Sequence, residues 1–212
     1  MSTTSDRQKR IERMQRIRAK VVEWAAESHP HLLEAGVRCW LGHTQPSKDK
    51  VKEAFLFALV APLNAQPSLL EQYAASGQSL SRFERDMFAI WSQVHFSVFT
   101  VNDVEEGVHL VLTDRVSQKT RTIRERTASK SLQRGDTFAA FLKPIGDAYE
   151  LEGTIAVLKE HIVSVALHAM GPEINSAAQQ TMDVYAPQSR ARAQQVIQAI
   201  RESESLDASS GS

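Results

Sequence analysis

The chain has 212 residues, 42% of them hydrophobic and 24% charged, with 25 basic and 25 acidic side chains that cancel. That length can bury one sizeable core, or one core and a helical satellite, and the composition argues against disorder through the middle. With no net charge, any preference for a charged partner must come from uneven placement.

Residues 1–5 form a polar lead, and the charged start lacks the apolar run of a secretory signal. From 6 to 26, Ile11, Met14, Ile17 and Val21 recur at three- and four-residue steps, which predicts a long amphipathic helix with Asp6 as its N-cap. Pro30 ends it, because the residue before a proline is pushed out of the helical region. Residues 31–41 fit a helix or a strand, with Gly36 weakening both readings. Cys39, in that stretch, is the only cysteine, so no intramolecular disulfide can form and a reducing compartment fits best. Ser47 is placed to cap a helix over 48–60 that Pro62 stops. The apolar stretch 55–63 is far short of the ~20 residues that span a bilayer. The expectation is a cytoplasmic protein of bacterial style with no membrane partner. Pro67 and Ser68 open a short helix that ends at Gly77. Ser81 and Glu84 have the form of a capping box, ahead of an apolar stripe of Phe83, Met87, Ile90, Trp91 and Val94.

Five short apolar-alternating runs then occupy 95–158, separated by turn-rich segments such as NDVEEG and PIGD. This spacing predicts a small antiparallel sheet curling into a five-stranded barrel. Leu158, Ile162, Val165 and Ala169 begin the next helical face, Gly171-Pro172 stops it, and Pro187 suits the first turn of a last helix through Arg201. The Ser/Asp/Gly-rich end has the composition of a disordered tail. The predicted fold class is α+β: a helical region over 1–95, a barrel over 96–157, C-terminal helices over 158–202 and a disordered tail over 203–212.

Three segments, EAFLFALVAPLN, LSRFERDMFAIWSQVHFSVFTV and LQRGDTFAAFLKPIGDAYELEG, resemble the region upstream of the zinc motif in bacterial proteins that carry a C-terminal SEC-C motif. The resemblance covers residues 53–157 and implies a helix–barrel architecture. The cysteine-rich zinc motif itself is absent, so the resemblance implies no metal or cofactor here.

Catalytic patterns are missing. There is no G-x-S-x-G elbow, no H-E-x-x-H and no glycine-rich phosphate loop, and the pairs Glu105/Glu106 and Glu150/Glu152 flank turns or a strand edge. His29, His31, Cys39 and His43 are metal-capable, but their spacing matches no zinc pattern well, and a loop with surface histidines and a buried thiol is the expected arrangement. The expectation is no enzyme, no metal and no cofactor. The basic residues are the informative feature. Residues 1–20 hold seven bases (among them Arg10, Arg13, Arg16 and Arg18) against two acids, and residues 114–134 hold seven (among them Lys119, Arg121, Arg124, Arg126, Lys130 and Arg134) against two. Such clusters can neutralise phosphates, and a barrel with basic strands and turns is a platform for nucleic acid. On a regular strand Arg121 shares a face with Ile123, while Arg124 and Arg126 share the other. Stacking on bases would need exposed aromatics, for which Phe96, Phe99, Phe138, Phe141 and Tyr149 are the candidates. The leading expectation is nucleic-acid binding through phosphates. Its competitor is a protein-interaction or assembly module using the amphipathic helices, including a homodimer through the N-terminal one. A solvated basic face, or a cyclic-nucleotide sensor, would use the same residues.

Overall fold

The computed structural model describes residues 4–42, 46–145 and 148–210. The helical region comprises α1 (Thr4–Ser28), α2 (Pro30–Leu41), α3 (Lys48–Val60), α4 (Leu69–Ala75) and α5 (Arg82–Trp91). Helix α1 starts ahead of Asp6, the expected cap. The ambiguous 31–41 stretch is helical because Leu32, Leu33, Gly36, Cys39 and Trp40 share one buried face. Gly36 is needed there: a Cβ on it would lie 2.5 Å from the Cβ of Ala58 and 2.7 Å from its Cα, so α2 and α3 meet backbone to backbone. The caps expected at Ser47 and Ser81 form, and Ser68 supplies one more. Ser47 accepts from the Lys50 N–H, and Ser68 and Ser81 each make a complete capping box with Glu71 and Glu84.

Strands β1 (His95–Glu105), β2 (His109–Asp114), β3 (Thr120–Ile123), β4 (Thr137–Ile145) and β5 (Ala148–Leu158) form a closed barrel in the order β1-β2-β3-β5-β4. The α+β class and the five-stranded barrel expected from the sequence are present. One pairing differs from an all-antiparallel barrel: β3 meets β5 in parallel at Ile123 and Tyr149. The cause is that β4 pairs with β1, so β5, folding back from β4, arrives beside β3 in the same direction. The turn residues Gly146 and Asp147 lie outside the described residues.

Alternation sorts the strand side chains onto two cores. Phe99, Val101, Leu110, Leu112, Ile123, Phe138, Ala140 and Leu142 fill the lumen. Phe96, Val98, Ala139 and Phe141 face outward into the helical layer. A bulge between Val101 and Asp103 shifts the register of β1 so that Val104, rather than Asp103, follows Val101 onto the lumen face. The 124–136 connection lies over one end of the lumen and inserts Ala128 and Leu132.

Helices α6 (Glu160–Met170), α7 (Pro172–Ala178) and α8 (Met182–Ser210) complete the chain. The expected tail beyond 202 is instead helical through Ser210. Asp207 there meets His161 at 2.7 Å and Lys159 at 3.5 Å, which pins the helix end beside α6. Pro187 falls in the second turn of α8 rather than the first. Arg190 ties α8 inward: its guanidinium donates to the carbonyls of Ser92 and Val94 and to the Glu71 carboxylate. Among the described residues no helix is long and apolar enough to cross a membrane.

Candidate nucleic-acid interface

On α1 the apolar stripe of Met14, Ile17, Val21 and Ala25 is buried in the protein, which turns the basic residues outward. Arg13 and Arg16 are exposed, with Arg13 resting 5.5 Å from the ring centre of Phe83. Arg10 is half-buried. Arg18 is committed elsewhere: its guanidinium pairs with Glu152, which is 1% exposed, and lies over Trp91. Lys20 is bonded to Glu84 at 2.8 Å, and that bond, with help from Ser81, holds the Glu84 carboxyl down to about 2. The N-terminal cluster is therefore smaller on the folded surface than in the sequence.

The barrel cluster divides similarly. Strand β3 ends at Ile123, so Arg124 and Arg126 are not on a strand face but in the connection that follows, where the Arg124 N–H donates to the Tyr149 carbonyl at 3.2 Å. Arg121 shares the face of Ile123, as strand alternation requires, but that face is the lumen. Its guanidinium lies 4.4 Å from the ring centre of Tyr149 with its Nε buried, so the half-buried side chain is largely spent on the protein itself. Lys119 reaches back to the carbonyl of Ala178 at 3.4 Å, and Arg115 to the Thr100 hydroxyl at 3.4 Å. What remains is the connection over the lumen, where Arg124, Arg126, Lys130 and Arg134 are all exposed and have no ion pair among the described residues. The two carboxylates of the same segment are used on backbone. Glu125 accepts from the Thr127 N–H at 2.9 Å, and Asp136 from the Gln133 N–H at 2.7 Å. On one side the positive surface is bounded by the β1–β2 turn with Glu105 and Glu106. That turn is joined to the connection by a bond from the Gly107 N–H to the Ser129 hydroxyl at 3.0 Å.

None of the aromatic candidates stands free for stacking. Phe96, Phe99, Phe138 and Phe141 are buried, and Tyr149 is half-buried under Arg121. The metal-capable residues do not converge either. His29 packs on Trp24 and His31 is exposed, while the Cys39 thiol donates to the Gln194 carbonyl and is pushed up to about 12 by burial. His43 lies outside the described residues, and among those described no three metal-capable side chains are placed together.

Two buried polar clusters carry no sequence motif. Where β1 begins, the Asp114 carboxylate accepts from Ser97 at 2.6 Å, from the N–H groups of Val116 and Ser117, and from the Tyr185 hydroxyl at 3.3 Å. His95 lies beside them fully buried, with no partner for either ring nitrogen among the described residues. Burial lowers its pKa to about 4, partly opposed by Asp114 and reinforced by Arg121 and Arg190. Ser97 bonds to the aspartate rather than to the imidazole, so there is no nucleophile–base pair. Through Tyr185 the cluster links the barrel to α8. The second cluster joins α1 to the barrel: Lys143, 3% exposed, donates to Glu152 at 2.7 Å, and Arg18 meets the same carboxylate. Burial pushes that carboxyl up, but the two cations outweigh it and hold it below its ordinary value.

No family model, curated protein or solved structure matches this chain.

Proposed function

We propose that this is a non-enzymatic nucleic-acid-binding protein that grips phosphates with the bases still at its surface. These are Arg124, Arg126, Lys130 and Arg134 on the barrel connection and Arg10, Arg13 and Arg16 on α1. The observation that carries the reading is the connection over the lumen, whose four exposed bases make no ion pair among the described residues and outnumber its two carboxylates, each of which bonds to a backbone N–H. With the aromatic rings packed away, contacts to phosphate rather than stacking on bases would dominate, so binding should be steep in salt and nearly indifferent to sequence. The competing assembly reading needs apolar helix faces, and of the α1 stripe that it would use Met14, Ile17 and Val21 are spent on the protein's own core, which leaves Ile11 exposed.

The test is retention of a random-sequence single strand and duplex, followed by fluorescence anisotropy. Binding is expected at ~50 mM salt and release by ~300 mM. Charge reversal of Arg124 and Arg126 should weaken it more than reversal of Glu105 and Glu106 changes it. Absence of retention at low salt, together with a dimeric or larger mass in solution, would replace this reading with assembly.

A further inference from the structure

A cleft of about 260 Å³ opens between α1 and strands β4 and β5, with Leu56 of α3 also on its wall. It is smaller than the ~300–1,000 Å³ typical of sites for whole drug-sized ligands, so it suits a single group better than a whole small molecule. Its charged lining is Arg10 and Arg18 from α1, Lys143 from β4 and Glu150 from β5, with the Glu152 carboxylate bonded to Arg18 and Lys143.

The two glutamates are held differently. Glu152 is buried and fixed by both Arg18 and Lys143. Glu150 is a third exposed, and its carboxylate lies 3.7 Å from Lys143, inside ion-pair range but beyond a hydrogen bond. Arg10 has no ion pair among the described residues. If the Glu150 side chain swings outward, Arg10 and one side of the Lys143 ammonium face a common space with no anion in it. A phosphate oxygen can replace the carboxylate there and accept shorter, charge-assisted hydrogen bonds.

We infer that this cleft takes a phosphate group, with Glu150 as the built-in anion that the phosphate displaces. The inference rests on the reading of the protein as a phosphate-gripping binder and adds to it a defined seat. The phosphate could belong to a nucleic-acid backbone or to a free phosphorylated compound, and the two sources are separable.

The experiment titrates the full chain with pyrophosphate and, separately, with a single strand of about 15 nucleotides, using wild type, Arg10→Ala and Glu150→Gln. Both substitutions are at partly exposed positions. Arg10→Ala should weaken pyrophosphate binding about tenfold and Glu150→Gln should tighten it about fivefold, with the strand affinity moving in the same directions. Effects on pyrophosphate but not on the strand would support the cleft and assign it to a free phosphate. Effects on neither ligand would overturn the inference. In that event strand binding that still falls on reversal of Arg124 and Arg126 would leave the proposed function standing. If Arg10→Ala weakens pyrophosphate binding while Glu150→Gln changes nothing, displacement of Glu150 is wrong.

Discussion

His95 shows how much a single side chain depends on its surroundings. It is packed against Phe99, Tyr149 and Tyr185 with no partner for either nitrogen among the described residues, so the neutral ring is the form that fits. Its pKa falls from an ordinary 6.5 to about 4 in the fold. The unfolded chain therefore takes up the proton first. The stability that His95 contributes is complete above about 6.5 and is lost as pH falls toward about 4, on the order of 3 kcal/mol in all. Below that, Glu84 adds loss of the same sign as pH falls from 4.5 toward about 2. His95→Phe keeps the aromatic packing and removes the proton site, so urea midpoints of the variant should stay flat between pH 6.5 and 4.5 where wild type declines. Parallel declines would show that another group controls acid lability.

Elements are joined here by close backbone contact and by buried charge. Gly36→Ala gains about 1 kcal/mol of helix propensity, but forces a methyl against Ala58, where overpacking costs about 1–3 kcal/mol. A net loss is expected, and Ala58→Gly in the same chain should restore part of the urea midpoint. At the α1–barrel joint, Glu152→Gln removes the buried carboxylate shared by Lys143 and Arg18, leaving Lys143 only the looser Glu150 at 3.7 Å, and should cost about 3–5 kcal/mol. The pair Lys143→Met with Glu152→Met should cost much less, because Arg18, a fifth exposed, can turn to solvent. If the double variant is as unstable as the single one, the joint depends on packing rather than on charge. The end of α8 is a further case. Its composition reads as a tail, yet Asp207 has a histidine and a lysine waiting on the α6 side, and a few long-range contacts are enough to extend a helix whose propensity alone is marginal.

Over the whole molecule, the salt response tests how many bases act together. The slope of log affinity against log salt on a single strand should flatten by about 1 for each contacting base removed among Arg124, Arg126, Lys130 and Arg134. Arg121→Gln should leave the slope unchanged while lowering stability, since that side chain faces the lumen. The sequence by itself determined the local features. Serine caps, proline stops and the two apolar periods marked most helices and all five strands, because those signals act within a few residues of one another. It also determined that Arg121 and Ile123 share a face. Only the tertiary structure decided that this face is the inside of a barrel, that β3 closes in parallel on β5, and that Arg18 is neutralised by a carboxylate 134 positions away. Charge counted along a chain carries no record of such partners. Neutralisation depends on distance in space and on the removal of water, and both are set only when the strands close and α1 packs against them.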